Sequence, residues 1–177
     1  MKLVLTPHKS SLVIASRVSG EVHRRGDLID WHMRVERSRP FVVNPSYGAD
    51  PRKNWELWNW DVVEAFLQLR SAPEDFTAPY LELQVSPLNQ ALALVIRKPR
   101  VSVYTPLALE FKSHVETDAD GYSMRAQVRL PSELQGVELW GGLFACLGQS
   151  PREYWALGPN PEANPDFHRP ELFERLD

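Results

Sequence analysis

A single cysteine, Cys146, in 177 residues excludes an internal disulfide framework and any multi-cysteine metal cluster. Glycine is scarce at 9 residues against 15 prolines, and no glycine-rich phosphate loop, Walker-type lysine, HExxH, GxSxG or CxxC motif is present. Charge of either sign is not in excess: 20 Lys and Arg against 23 Asp and Glu leave a net −3. That balance excludes a nucleic-acid or anionic-membrane surface as the main role. The longest apolar runs, Ala91–Ile96 and Leu143–Leu147, fall far short of the roughly 20 residues a spanning helix needs. Pro7, His8 and Lys9 interrupt the apolar Leu3–Leu5 start, so no signal-peptide core is read and a cytoplasmic home is expected. The five histidines (His8, His23, His32, His114, His168) show no ligand spacing, so no metal or other cofactor is expected.

What is present is alternation with a period of two. Ile29, Trp31, Met33 and Val35 alternate with Asp30, His32, Arg34 and Glu36; Tyr122, Met124, Ala126, Val128 and Leu130 alternate with Ser123, Arg125, Gln127 and Arg129. Each pattern is that of a strand with one face in a core and one in water. Leu107–Glu116 reads the same way, joined to Tyr122–Leu130 by a hairpin over Thr117–Gly121, with Gly where positive φ is needed. Asp118-Ala119-Asp120-Gly121 resembles the start of a calcium loop without its later ligands, and is read as the hairpin turn. Further strands are expected at Leu3–Thr6, Leu12–Val18, Asp61–Leu69, Tyr80–Ser86, Ala91–Lys98, Glu138–Leu147 and Tyr154–Leu157. One helical turn is expected, at Pro131–Gln135. Nine to eleven short strands imply an all-β, antiparallel sandwich of two sheets, jelly-roll or immunoglobulin-like, in one domain spanning 1–177.

Three of the six tryptophans stand in Trp55-Glu56-Leu57-Trp58-Asn59-Trp60, a dense concentration of aromatic area at the mouth of a strand. Beyond it Glu64 falls mid-strand among apolar neighbours, and Tyr80, Glu82 and Gln84 alternate on the next strand. With Ala91, Ala93, Val95 and Arg97 assigned to the same side, this face carries aromatic, carboxylate, amide and guanidinium groups together. Sugar rings suit such a surface, because their C–H faces pack on indole and their hydroxyls pair with carboxylates or guanidinium. The alternative is a cross-strand ion-pair cluster of Glu64, Glu82 and Arg97, with the tryptophans closing the end of the sandwich. The proline-rich stretch Gly158–Pro170 holds Asp166, His168 and Arg169 on a pinned loop, either binding-site material or a latch on the last strand.

Four segments in order carry a family resemblance. Leu57-Trp58-Asn59-Trp60-Asp61-Val62-Val63-Glu64-Ala65-Phe66-Leu67 resembles the "LW…D-x-V-E-x-F" strand of carbohydrate-binding module family 9 and the related DOMON-like domains. Tyr80–Pro87 is similar to the following strand, Gly121–Pro131 to a late strand, and Tyr154–Leu157 with Pro165–Phe173 to the C-terminal ending. The resemblance implies a β-sandwich that binds sugar or, in some DOMON branches, haem. It implies Trp58 and Trp155 as the indole clamp, Trp60 as rival for the first place, and Glu64 and Arg97 as polar partners. Tyr80, Glu82 and His168 complete the candidate set.

The expected function is therefore non-catalytic binding of a sugar or similar small polar ligand by a monomer, with no nucleic-acid or membrane partner. Haem ligation would have to draw on His168 and on Met33 or Met124. An enzyme would need Glu64 and Glu82 as an acid/base pair, against which Arg97 on the same face would keep both ionised. A protein-docking patch around Trp55–Trp60 is the remaining alternative.

Overall fold

Strands form wherever the sequence alternates, and a computed structural model describes them over residues 3–48, 50–105, 108–134 and 136–177. In chain order they are β1 (Leu3–Val4), β2 (Thr6–Pro7), β3 (Ser16–Arg25), β4 (Leu28–Arg37), β5 (Val62–Arg70), β6 (Tyr80–Val85) and β7 (Ala91–Lys98). They continue with β8 (Ser102–Tyr104), β9 (Phe111–Asp118), β10 (Gly121–Arg129), β11 (Glu138–Leu147), β12 (Glu153–Ala156) and β13 (Glu174–Arg175). All pair antiparallel, in a five-stranded sheet ordered β1-β3-β4-β10-β9 and an eight-stranded sheet ordered β2-β12-β11-β5-β6-β7-β8, with β13 beside β11. No α-helix occurs among the described residues, and none of their helices is long and apolar enough to cross a membrane.

The two sheets pack face to face over one apolar core. Trp31, Met33, Val35, Tyr122 and Met124 from the smaller sheet meet Val63, Leu67, Leu83, Val95 and Leu143 from the larger. The hairpin between β9 and β10 turns on Ala119-Asp120, and Gly121 follows at φ 149°. A Cβ there would fall 1.9 Å from the Val35 carbonyl oxygen, so only glycine fits. Where β4 ends, Arg37 pairs with Asp61, both buried. Asp61 also accepts from the backbone N–H groups of Val42 and Gly148.

The larger sheet is covered on both faces, and this decides everything about the site. All nine residues of β5 are buried: Val63, Ala65, Leu67 and Leu69 face the inter-sheet core, while Val62 and Phe66 belong to a second cluster on the outer face. That cluster adds Tyr80 from β6, Leu92, Leu94 and Ile96 from β7, and Phe144 from β11. The C-terminal segment crosses it. Arg70, itself buried, donates to the Pro170 carbonyl (2.5 Å), the Pro73 carbonyl (2.7 Å) and Gln68 Oε1 (2.7 Å). Its guanidinium lies 4.6 Å from the Trp140 ring, so the short 3-10 helix Pro170–Leu172 is held down before β13 returns to β11.

Three expectations are corrected. Pro131–Leu134 closes as a turn, with Leu134 N–H donating to Pro131 O at 2.9 Å; Gln135 lies outside the described residues. The strand expected from Leu12 starts at Ser16 as β3, because Leu12, Val13 and Ile14 are exposed and pair with neither sheet. The strand expected from Leu107 starts at Phe111, with Leu107 itself outside the described residues.

Candidate functional site

A cavity of about 430 Å³ opens on the outer face of the larger sheet, within the range of small-ligand pockets. Its floor is the sheet itself: Glu64 and Phe66 from β5, Glu82 and Gln84 from β6, Leu94 and Ile96 from β7. Cys146 on β11 and Tyr154 on β12 extend the floor to the far side. The register pairs Glu64 with Gln84 and Phe66 with Glu82, so the two carboxyls are diagonal neighbours on one face, roughly 7–8 Å apart at the backbone.

Two loops wall the cavity. The 3-10 helix Leu57–Asn59 presents Trp58, whose ring stands edge-on to Trp55 with centroids 5.1 Å apart. Arg152 fixes this turn by donating to the carbonyls of Asn59 (2.9 Å), Trp60 (3.2 Å), Gly148 (3.1 Å) and Trp58. Opposite, the C-terminal loop lays Phe167 flat on Phe144, centroids 4.4 Å apart, with Tyr154 edge-on to it at 6.4 Å. His168 tilts over Phe66 at 5.1 Å. Arg100 closes the rim and is paired with Asp166.

The polar floor is deeply desolvated. Glu64 and Glu82 are 2% and 4% exposed. Burial first, then the neighbouring Glu82 charge, raises the Glu64 carboxyl well above its ordinary value, with Arg152 opposing. Burial pushes Glu82 up to about 7, against the lowering effect of its bond from Gln84 Nε2 at 2.7 Å. Two carboxyls so placed cannot both ionise cheaply near neutrality, and they hold a proton between them. Glu82 Oε2 and Gln84 Oε1 are buried without a hydrogen-bond partner among the described residues. His168 Nε2 stands 3.8 Å from Glu82 Oε2, beyond hydrogen-bond reach. Burial lowers the His168 imidazole, and Tyr80 O–H holds its Nδ1 at 2.7 Å.

Trp58, Glu64, Glu82 and His168 are thus brought to one cavity, with Tyr80 beneath it as the residue that orients His168. Three others are not. Trp155 faces the inter-sheet core at 4% exposure, bonded through Nε1 to Glu153; its register partner Ala145 is in that core, whereas Cys146 pairs with Tyr154. The second aromatic wall is therefore Tyr154, one residue earlier. Arg97 follows Ala91, Ala93 and Val95, which point into the inter-sheet core, and its guanidinium lies 4.7 Å from the Tyr104 ring. The turn between β6 and β7 pairs Val85 with Ala91, which sends Leu92, Leu94 and Ile96 to the Glu82 side. The expected ion-pair cluster of Glu64, Glu82 and Arg97 does not form. Trp60 contributes a carbonyl to Arg152, and its side chain is not part of the cavity lining. Met33 and Met124, opposed across β4 and β10, are sealed in the inter-sheet core. They lie across a full sheet from His168, so they cannot join it on one haem iron. Among the described residues no three metal-ligating side chains cluster.

Sequence reading missed Tyr154, Arg152, Phe167, Arg100 and Gln84 as site residues. Tyr154 comes to the outer face through the register: Glu64 pairs with Phe144, and the same parity runs through Cys146 to Tyr154.

Fold and site together define an antiparallel β-sandwich with an aromatic-walled, carboxyl-floored pocket on the outer face of its larger sheet. The chain belongs to the UPF0462 family. It is 35% identical over 155 residues to the rat UPF0462 protein C4orf33 homolog, covering 82% of this chain and 73% of that protein. It is 31% identical over 158 residues to the human UPF0462 protein C4orf33 (84% and 75% covered) and 29% over 150 residues to the zebrafish homolog (79% and 72% covered). No protein-family model matches the chain.

Proposed function

We propose that this chain is a non-catalytic domain that binds a carbohydrate or a similar small polar ligand in the outer-face pocket. The observation that carries the reading is the lining: Trp58, Tyr154 and Phe167 offer aromatic faces beside the buried Glu64, Glu82 and Gln84 in one cavity of about 430 Å³. A sugar ring lays its C–H face on an aromatic wall while its hydroxyls reach the floor. The resemblance to carbohydrate-binding module family 9 supports the same ligand class, with Tyr154 taking the place expected of Trp155. The test is a fluorescence titration with mono- and disaccharides, since Trp55 and Trp58 both stand at the cavity. A saturable shift in emission is expected, and Trp58→Ala should cost about 2–4 kcal/mol of binding. If no sugar shifts the emission and Trp58→Ala leaves every response unchanged, the reading fails.

One observation favours a second reading, acid/base hydrolysis of a glycoside. The floor pairs two buried carboxyls, one of them raised by burial to about 7, and Arg97, which was expected to keep both ionised, stands away from them over the Tyr104 ring. Turnover of chromogenic glycosides that disappears in Glu64→Gln would establish it.

A further inference from the structure

We propose that the ligand carries an ammonium group seated between Glu64 and Glu82, an amino sugar being the form that fits the function proposed above, on which this inference rests. The argument is a count of donors and acceptors. The cavity floor presents the buried Glu64 carboxylate together with Glu82 Oε2 and Gln84 Oε1, both unpartnered among the described residues. These are three acceptor groups, all more than nine-tenths buried, and His168 Nε2, at 3.8 Å from Glu82 Oε2, stands beyond hydrogen-bond reach of them.

The charges facing this spot from each neighbouring element are already engaged or neutral. Arg152 gives its Nη protons to the Trp58, Asn59, Trp60 and Gly148 carbonyls. Arg100 is paired with Asp166. Burial keeps the His168 imidazole below its ordinary value, and it keeps the Tyr80 phenol and the Cys146 thiol protonated. Tyr154 sits under the Arg152 guanidinium at 5.6 Å.

A hydroxyl offers one donor and two acceptors, so it leaves this floor short of donors. An ammonium offers three donors and no acceptor, which matches the three groups one to one. It also brings the positive charge that lets both carboxyls ionise side by side. The aromatic rings around it add favourable quadrupole contacts. Binding then expels the proton the pair holds, and it weakens as pH falls below about 7, where Glu82 takes that proton back.

The test is calorimetric titration at pH 6.5 with glucose, N-acetylglucosamine, glucosamine and cyclohexylamine, in two buffers of different ionisation enthalpy. Glucosamine is expected to bind at least about tenfold more tightly than either neutral sugar, with release of up to about one proton. Glu64→Gln and Glu82→Gln, isosteric and checked for folding by circular dichroism, should erase both that preference and the proton release. Glucosamine binding no tighter than glucose, with no proton release, overturns the ammonium site and leaves the sugar-binding function standing. Cyclohexylamine binding with proton release while no sugar binds supports the ammonium site and overturns the sugar reading. No response to any of the four overturns both.

Discussion

Glu82 is a carboxylic acid whose burial brings its titration close to neutral pH. Its ordinary value is 4.5 and burial lifts it to about 7, so between those pH values the folded protein holds a proton that the unfolded chain has released. The stability tied to this group is complete below about pH 4.5, falls as pH rises, and is lost by about pH 7, a change on the order of 3 kcal/mol. Thermal melts should therefore show Glu82→Gln close to the parent near pH 4.5 and more stable than it at pH 8. Comparison with the parent cancels His168, whose lowered imidazole acts in the opposite sense below its ordinary 6.5. Asp61 is a different kind of buried acid. It pairs with Arg37 and accepts two backbone N–H groups, so Asp61→Ala leaves a guanidinium buried without a partner. A loss of about 3–5 kcal/mol is expected in urea unfolding.

At the scale of elements, the C-terminal segment is a structural strap as much as a pocket wall. Arg70 holds it by one hydrogen bond to the Pro170 carbonyl, five residues after Pro165 at the cavity, and is itself fixed by Gln68, the Pro73 carbonyl and the Trp140 ring. Arg70→Met keeps the stem and removes the donors, leaving the Pro170 carbonyl unpaired in a buried site. A loss of about 1–3 kcal/mol is expected, together with faster proteolysis within 158–173, read by timed digestion and mass spectrometry. The same scale explains the misplaced residues. In β4 and β10 one face is wet, so alternation of polar and apolar residues states the orientation outright. In β7 both faces are dry, and Ala91, Ala93 and Val95 are no more obviously core than Leu92, Leu94 and Ile96. Only the pairing of Val85 with Ala91 decides which set meets Glu82.

For the whole molecule, the sandwich separates two populations of aromatic residues that look alike in the sequence. Trp31 and Trp155 fill the space between the sheets, while Trp55 and Trp58 stand at the outer pocket. Trp155→Ala should cost about 3–5 kcal/mol of stability as a core truncation, with ligand response kept under conditions where the variant is folded. Trp58→Ala should do the reverse, losing the response with little change in the unfolding midpoint; paired denaturation and titration curves separate the two. The sequence by itself determined the all-β class, most strand positions and the hairpin at Gly121. Each of these follows from spacing along one strand or from one turn, which are local properties. Whether Trp155 or Tyr154, and Arg97 or Arg152, reach the pocket was decided only by tertiary structure. When a sheet is buried on both faces, the polarity pattern no longer marks which side is out, and a shift of one residue in register exchanges the two faces completely.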